Sequence, residues 1–187
     1  LSVISGFNNL WILQFESAQN AYEAFKYYSS RSGIAYIEPD KPVSALNYSY
    51  ELSTNSDTDK TYLSWGASHI GIDVFNNSIT ENNITLSDIV VAVVDTGVDP
   101  NHTALHNRVI PTKINTSSSG IRNNSMDDAG HGTNVAGIIA DCTLDNVYIK
   151  PYKVMDKHGN GTVVTVAATA LAETIREMSA ADAANIL

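Results

Sequence analysis

The sequence predicts an α/β protein in which a parallel sheet is flanked by helices, preceded by part of a small α+β domain. From about Trp65 onward, strand-like apolar runs alternate with helix-like stretches, the order in which helices cover a parallel sheet. Before this point, a shorter unit has strand and helix patterns of its own. We therefore expect an N-terminal unit at residues 1–46, a linker at 47–62, and an incomplete α/β part at 63–187.

The N-terminal unit has the pattern strand, helix, strand. Alternating apolar residues indicate the first strand, and apolar residues at helical spacing indicate the helix: Trp11, Leu13 and Phe15, then Ala21, Phe25 and Tyr28. Ser17 is a suitable N-cap and Gly33 a suitable helix stop. Residues 34–40, "IAYIEPD", predict the second strand. The stretch that follows, "NYSYELSTNSDTDKTY", is polar without a sustained apolar period, which is typical of an exposed linker.

Three segments predict elements of the α/β part. Residues 88–100, "DIVVAVVDTGVDP", form a β-branched run that is typical of a strand buried on both faces. Residues 146–155, "NVYIKPYKVM", predict another strand, broken or bent around Pro151. From Thr162 to about Ala184, apolar residues recur at helical spacing and predict a long amphipathic helix.

Composition narrows the range of functions. The chain has 11 basic and 20 acidic residues and a net charge of -9, which argues against a nucleic-acid partner. A single cysteine, Cys142, excludes an internal disulfide framework. No apolar run reaches the roughly 18 residues that a membrane span requires. The sequence starts at Leu1 without methionine or a basic leader, and we expect it to be a fragment of a longer protein.

Two residues carry the candidate chemistry. Asp95 lies at the carboxyl end of the predicted buried strand, where ligands and catalytic groups gather in open α/β sheets. His131 lies at the start of a small-residue helix, in "GHGTNVAGIIA". Taken singly, Asp95 is also explained as a turn cap and His131 as a helix-start residue bonded to a loop. Together they predict an orienting pair, in which the carboxylate accepts from one ring nitrogen and leaves the other free to take a proton.

These two motifs resemble the aspartate and histidine motifs of the subtilisin-like serine proteases, in the order of that family. "SWGASHIGI" resembles the start of the mature enzyme, and "YKVMDKHGNGT" the strand and turn before the next helix. "WILQF" and "IAYIEPDKPV" resemble the second half of the family's inhibitory propeptide. The resemblance therefore extends from the N-terminal unit into the α/β part.

The resemblance implies a secreted or cell-surface serine endopeptidase that acts on polypeptides. His131 would be the general base and Asp95 its orienting partner, while the serine and the oxyanion-hole asparagine would lie downstream of Leu187. Residues 1–46 would lay their C-terminal tail in the cleft before cleavage somewhere within residues 44–62. Gly130 and Gly132 would let the backbone pass close to the substrate cleft. A second set of small residues would let the helix pack tightly on the sheet: Ala136, Gly137 and Ala140.

Several features limit the resemblance or favour other functions. Asn134 replaces a second histidine common in the family, which leaves His131 itself untouched. Ala104 replaces an acidic calcium ligand, and the short stretch between His131 and "YKVM" lacks the Asn-rich loop of calcium-binding members, so we expect no calcium site in this part of the chain. A structural calcium elsewhere in the full-length protein stays open, and the chemistry itself would require no cofactor. His102 and His106, four residues apart, lack the intervening glutamate of a zinc motif and are expected at the surface. "DTG" is also the signature of aspartic proteases. A further alternative is a non-catalytic binding module, either a propeptide or a pseudoenzyme.

Overall fold

The computed structural model describes residues 2–5, 11–45, 64–112, 115, 117 and 124–163. The predicted linker at 47–62 lies outside the described residues, as does the predicted long helix beyond Val163. The described elements also include a 3-10 turn at Thr103–Leu105. In chain order the strands and helices are β1 (Ser2–Ser5), β2 (Trp11–Gln14), α1 (Ala18–Ser29), β3 (Pro42–Ser44), α2 (Trp65–His69), α3 (Ile72–Glu81), β4 (Ile89–Asp95), α4 (His131–Asp141), β5 (Val147–Lys153) and β6 (Asn160–Thr162).

The N-terminal unit contains the predicted first strand and helix, but its last strand lies further along the chain. β1 and β2 pair antiparallel, and the hydroxyl of Ser17 caps α1 by accepting from the backbone N–H of Asn20 at 3.1 Å. The predicted strand at residues 34–40 is wrong, because these residues have no strand pairing in the described chain. The strand forms instead at β3, where β6 supplies a partner edge. Gly33 lies in the turn after α1, with a positive φ of 93°.

The centre of the α/β part is the parallel pair of β4 and β5, which confirms the predicted class. The register runs from Ile89 opposite Val147 to Asp95 opposite Lys153, so the last residue of each strand lies at the same edge. On the other side of β5, a parallel bridge joins Val109 to Ile149. The carboxyl ends of β4 and β5 thus form the sheet edge at which the sequence predicts the candidate site.

Pro151 does not break β5, so of the predicted break or bend at this residue the break is wrong. Ile149, two residues earlier, directs both its N–H and its carbonyl to residues 108–110, away from β4. Pro151 has the same orientation, because its carbonyl accepts from the hydroxyl of Thr112. The N–H that proline lacks would therefore have pointed away from β4. The ladder between β4 and β5 loses no hydrogen bond at this position.

The apolar core lies between the end of β4, α4 and β5. Its buried members are Val93, Val98, Leu105, Ala136 and Ile149. The first half of β4 is exposed, with Ile89 and Val90 at 54% and 47% of their full accessible area. The prediction of a strand buried on both faces therefore holds only for its second half, where α4 covers the sheet. Burial is concentrated at the end of β4 that carries Asp95.

A short antiparallel ladder joins the N-terminal unit to the α/β part. β3 pairs with β6, with Val43 opposite Gly161. Two backbone hydrogen bonds extend the ladder, from Ala45 N–H to the Gly159 carbonyl at 2.7 Å and from Val163 N–H to the Lys41 carbonyl at 2.9 Å.

Among the described helices, none is long and apolar enough to cross a membrane.

Candidate active site

The structure brings Asp95 and His131 into direct contact. The Nδ1 atom of His131 lies 2.8 Å from Oδ1 and 2.9 Å from Oδ2 of Asp95. An ionised carboxylate only accepts hydrogen bonds, so Nδ1 carries the proton of this contact. The Asp95 side chain is 12% exposed and that of His131 is 38% exposed. The histidine is therefore oriented from the protein side, while the far edge of its ring, with Nε2, faces away from the carboxylate.

The backbone fixes Asp95 at the end of β4. Its Oδ1 accepts from the backbone N–H of Thr96 at 2.6 Å. Its carbonyl accepts from the N–H groups of Val154 and Met155, just past β5, at 2.8 and 3.2 Å. Both the carboxylate and the main chain of Asp95 are thus held by neighbouring backbone, which restricts the carboxylate to one orientation toward His131.

Each of the two glycines around His131 has a role in the local fold, while their predicted approach to a cleft stays a prediction. Gly130 is the N-cap of α4 with a φ of 91°, a left-handed conformation that glycine adopts without strain, and nothing lies within 4 Å of a Cβ built there. A Cβ on Gly132 would lie 2.0 Å from the Gly97 carbonyl oxygen. Gly132 is therefore needed where α4 packs against the loop after Asp95.

The predicted packing of small residues in α4 holds only in part. Ala136 is fully buried in the core, and Ala140 packs at its margin. Gly137 is half-buried, and nothing lies within 4 Å of a Cβ built on it. The helix therefore depends on Ala136 and Gly132 for its close approach, and Gly137 takes no part in it.

Asp127 connects the start of α4 to the loop after Asp95. Its carboxylate accepts from the Thr96 hydroxyl at 2.8 Å, from the Thr133 hydroxyl at 2.7 Å, and from the N–H groups of Ala129, Gly130 and Thr133. The Thr96 hydroxyl in turn accepts from the Gly132 N–H at 2.9 Å. Burial acts to raise the pKa of Asp127, but these hydrogen bonds outweigh it and the pKa lies below its ordinary value.

Sequence reasoning missed Asp127, Thr96 and a buried lysine, Lys153. The signal for Asp127 was present, since an acidic residue just before a helix start often accepts from the free N–H groups of the first turn. No sequence pattern predicts that Lys153, at the end of an apolar strand, is only 1% exposed. Thr96 donates to the Asp95 carboxylate, and both Asp127 and Lys153 bond to Thr96, so the three residues lie one step behind the Asp95–His131 pair.

At the other end of α4, Arg108 binds one carbonyl of the last helical turn and three carbonyls of the segment that follows the helix. Its guanidinium donates to the carbonyls of Ala140, Thr143, Leu144 and Val147 at 2.7–3.2 Å. Burial is the main cause that lowers the pKa of Arg108 from its ordinary value, against an opposing effect of Asp145. A cation at a helix C-terminus stabilises the helix that carries His131.

The predicted surface histidines and an adjacent cleft lie outside the pair. His102 precedes the 3-10 turn, and its Nδ1 accepts from the Ala104 N–H at 3.2 Å; His106 follows the turn, and both residues are exposed. Within the described residues, no group of three or more potential metal ligands is assembled.

Neither Asp95 nor His131 lines the cleft of about 220 Å³ beside the loop after β4. Its lining is Val98, Pro100, Val109, Pro111, Thr112, Asn124, Ser125, Met126 and Pro151.

In sequence, the chain is similar to several known proteases. Over 167 residues the chain is 31% identical to the cell wall-associated protease of Bacillus subtilis (strain 168), which covers 81% of this chain and 18% of that protein. It is 39% identical over 105 residues to the subtilisin of Bacillus sp. (strain TA39), covering 51% and 25%. It is 30% identical over 138 residues to the subtilase-type proteinase psp3 of Schizosaccharomyces pombe (strain 972), covering 70% and 27%.

The chain spans about a fifth to a quarter of the length of these relatives. The sequence model of the subtilase family matches residues 86–185, more than half of the chain, and includes both Asp95 and His131. On this match, the chain belongs to the subtilase family.

Proposed function

We propose that the full-length protein is a subtilisin-like serine endopeptidase in which Asp95 and His131 are two members of the catalytic triad. The observation that carries this proposal is the contact of the His131 Nδ1 with both oxygens of Asp95, at 2.8 and 2.9 Å. We assign the serine nucleophile and the oxyanion-hole asparagine to the protein downstream of Leu187. Polypeptides are the substrates, and no cofactor takes part in the chemistry.

In this proposal, His131 acts as the general base through Nε2. It takes the proton of the serine hydroxyl as the oxygen attacks the scissile carbonyl, and later gives that proton to the leaving amine. Asp95 keeps the Nδ1 proton in place and stabilises the imidazolium that forms between these steps. Because the Asp95 side chain is nearly buried, water does not compete with His131 for hydrogen bonds to the carboxylate. An aspartic protease would need a second carboxylate beside Asp95, whereas the group in contact with Asp95 is an imidazole.

We infer further that residues 1–46 are the C-terminal half of the inhibitory propeptide, and that β3 occupies the peptide-binding edge of the enzyme. The support is the ladder between β3 and β6, which is how an extended peptide adds a strand to a free sheet edge. Val43 is half-buried while Pro42 and Ser44 are exposed, so side chains at alternate positions face the enzyme. Cleavage within residues 44–62 would then release the mature enzyme. One relative is named a cell wall-associated protease, which favours an extracellular location.

The test of the triad uses the full-length protein. His131→Ala should abolish both autoprocessing and peptide hydrolysis, and Asp95→Asn should lower turnover by about 10⁴-fold, the loss typical of an orienting aspartate. Circular dichroism checks that each variant is folded. Hydrolysis that persists in folded His131→Ala and is inhibited by pepstatin would favour the aspartic alternative. A folded wild-type protein without hydrolysis would favour a pseudoenzyme.

The test of the propeptide uses synthetic peptides spanning residues 39–46 as inhibitors of the mature enzyme. The natural sequence should inhibit competitively. Ala45→Pro removes the N–H that donates to Gly159, so the peptide should lose most of its affinity. Ser44→Pro is the matched control, because successive N–H groups of a strand point to opposite sides and that of Ser44 points away from β6. Equal loss in both peptides would contradict the pairing.

A further inference from the structure

Lys153 is a buried cation at the end of β5, directly opposite Asp95 in the β4–β5 register. The residue is 1% exposed, and lysine is almost never buried to this degree unless its charge is paired. Its Nζ donates to the carbonyl oxygen of Thr96 at 2.5 Å and to Oδ1 of Asp128 at 2.5 Å. The ammonium is therefore held by one backbone carbonyl and one carboxylate.

The two acceptors belong to the two loops that carry the Asp95–His131 pair. Thr96 immediately follows Asp95, and Asp128 lies three residues before His131. One ammonium group thus connects β5, the loop after β4 and the loop before α4. Because the cation is in the interior and its bonds are short, small displacements of either loop would lengthen a charge-assisted hydrogen bond. This arrangement resists separation of Asp95 from His131.

The Asp127 carboxylate provides a second connection between the same loops. It joins Thr96 to Thr133 through hydroxyl groups and is independent of Lys153. The fold around the pair therefore has support that remains when the lysine is replaced. What the lysine adds is the fixed position of the Thr96 carbonyl, one residue from the carboxylate that orients His131.

We propose that Lys153 is a positioning residue for the Asp95–His131 pair. Its compact ammonium fixes the Thr96 carbonyl and Asp128 at the same time, and so holds the carboxylate in bonding distance of Nδ1. Only the kinetic consequence of this proposal, a lower kcat, rests on the proposed peptidase function. The geometric consequence, a weaker Asp95–His131 hydrogen bond without Lys153, is measurable whether or not the protein hydrolyses peptides.

The experiment compares Lys153→Met with wild type in the full-length protein. Methionine retains the length and apolar stem of lysine but has no donor. We expect kcat to fall by about 10- to 100-fold with KM changed by less than about twofold, because a misplacement on the order of 1 Å at the reacting groups has consequences of this size. We also expect the His131 Nδ1 proton, observed by NMR, to exchange faster with water. Lys150→Met, in the same strand, is the matched control and should retain the wild-type kcat.

If Lys153→Met does not fold, Asp128→Asn tests the same connection, since the asparagine amide oxygen can still accept from Nζ while the negative charge that strengthens the bond is removed, and the side chain at position 128 is 40% exposed. A several-fold fall in kcat with the same change at the Nδ1 proton is the expected result. A folded variant of either residue with wild-type kcat and an unchanged Nδ1 proton would overturn the proposal. Failure of the peptidase function is recognised separately, as inactive wild type or active His131→Ala, and the Nδ1 comparison still decides the role of Lys153.

Discussion

The close packing of Gly132 gives a prediction whose size follows from one distance. In Gly132→Ala the new methyl group would lie 2.0 Å from the Gly97 carbonyl oxygen and 3.2 Å from the Asp95 Cβ. Unstrained contacts of carbon lie at about 3.5 Å, so either the start of α4 or the loop at Gly97 must move by roughly 1.5 Å. Since Asp95 and His131 lie on opposite sides of this contact, the movement separates the pair.

Gly137→Ala is the matched control in the same helix. Both substitutions gain the helix propensity of alanine, about 1 kcal/mol, but nothing lies within 4 Å of a Cβ on Gly137. Overpacking costs about 1–3 kcal/mol, so Gly132→Ala should be less stable than Gly137→Ala by about that amount. We also expect Gly132→Ala to lose about 100-fold in kcat/KM. Gly137→Ala should be stabilised by about 0.5–1 kcal/mol and remain active.

The assay is urea unfolding together with peptide hydrolysis, both on the full-length protein. The two unfolding free energies give the cost of the contact, because the helix-propensity gain cancels in their difference. The reasoning would be refuted if Gly132→Ala were as stable as Gly137→Ala and as active as wild type, since α4 would then not press on the loop after Asp95.

Two further predictions concern the polar groups around α4. The pKa of Asp127 is below its ordinary value of 3.8, so its hydrogen bonds stabilise the fold above that pH and the contribution is lost as pH falls toward the folded-state pKa. Asp127→Asn should therefore destabilise by about 1–3 kcal/mol at pH 6 and by less at pH 3, measured by urea unfolding; an equal loss at both values would contradict the charge-based reasoning. Arg108→Met removes the guanidinium donor from the carbonyls of Ala140, Thr143 and Val147, and should lower the free energy of unfolding by about 3 kcal/mol, whereas a loss below about 1 kcal/mol would show that α4 ends stably without the guanidinium.

The features predictable from sequence are those that depend on local patterns. The β-branched run of β4, the Ser17 cap of α1 and the placement of Asp95 and His131 all follow from residue type and spacing. The parallel class follows from the alternation of strands and helices. The pairing of Asp95 with His131 was predictable because a strand end and a helix start converge at one sheet edge.

The features that sequence reasoning missed depend on tertiary partners. β3 forms at Pro42–Ser44 and not at residues 34–40 because a strand needs a partner edge, and β6 provides one only there. Pro151 remains inside β5 because its missing N–H points away from β4. The burial of Lys153 depends on two acceptors that arrive from separate loops. In each case the partner comes from another part of the chain, so the local sequence around the affected residue does not indicate it.

Covalent labelling with a serine-directed phosphonate tests the central claim most directly. The measurement is the mass of the full-length protein after reaction, in wild type and in folded His131→Ala. If His131 activates a serine through its contact with Asp95, the wild type gains one phosphonyl group and loses peptidase activity, while His131→Ala gains none on the same timescale. Labelling of both proteins at the same rate, or hydrolysis by wild type that survives the reagent, would contradict the assignment of His131 as the general base.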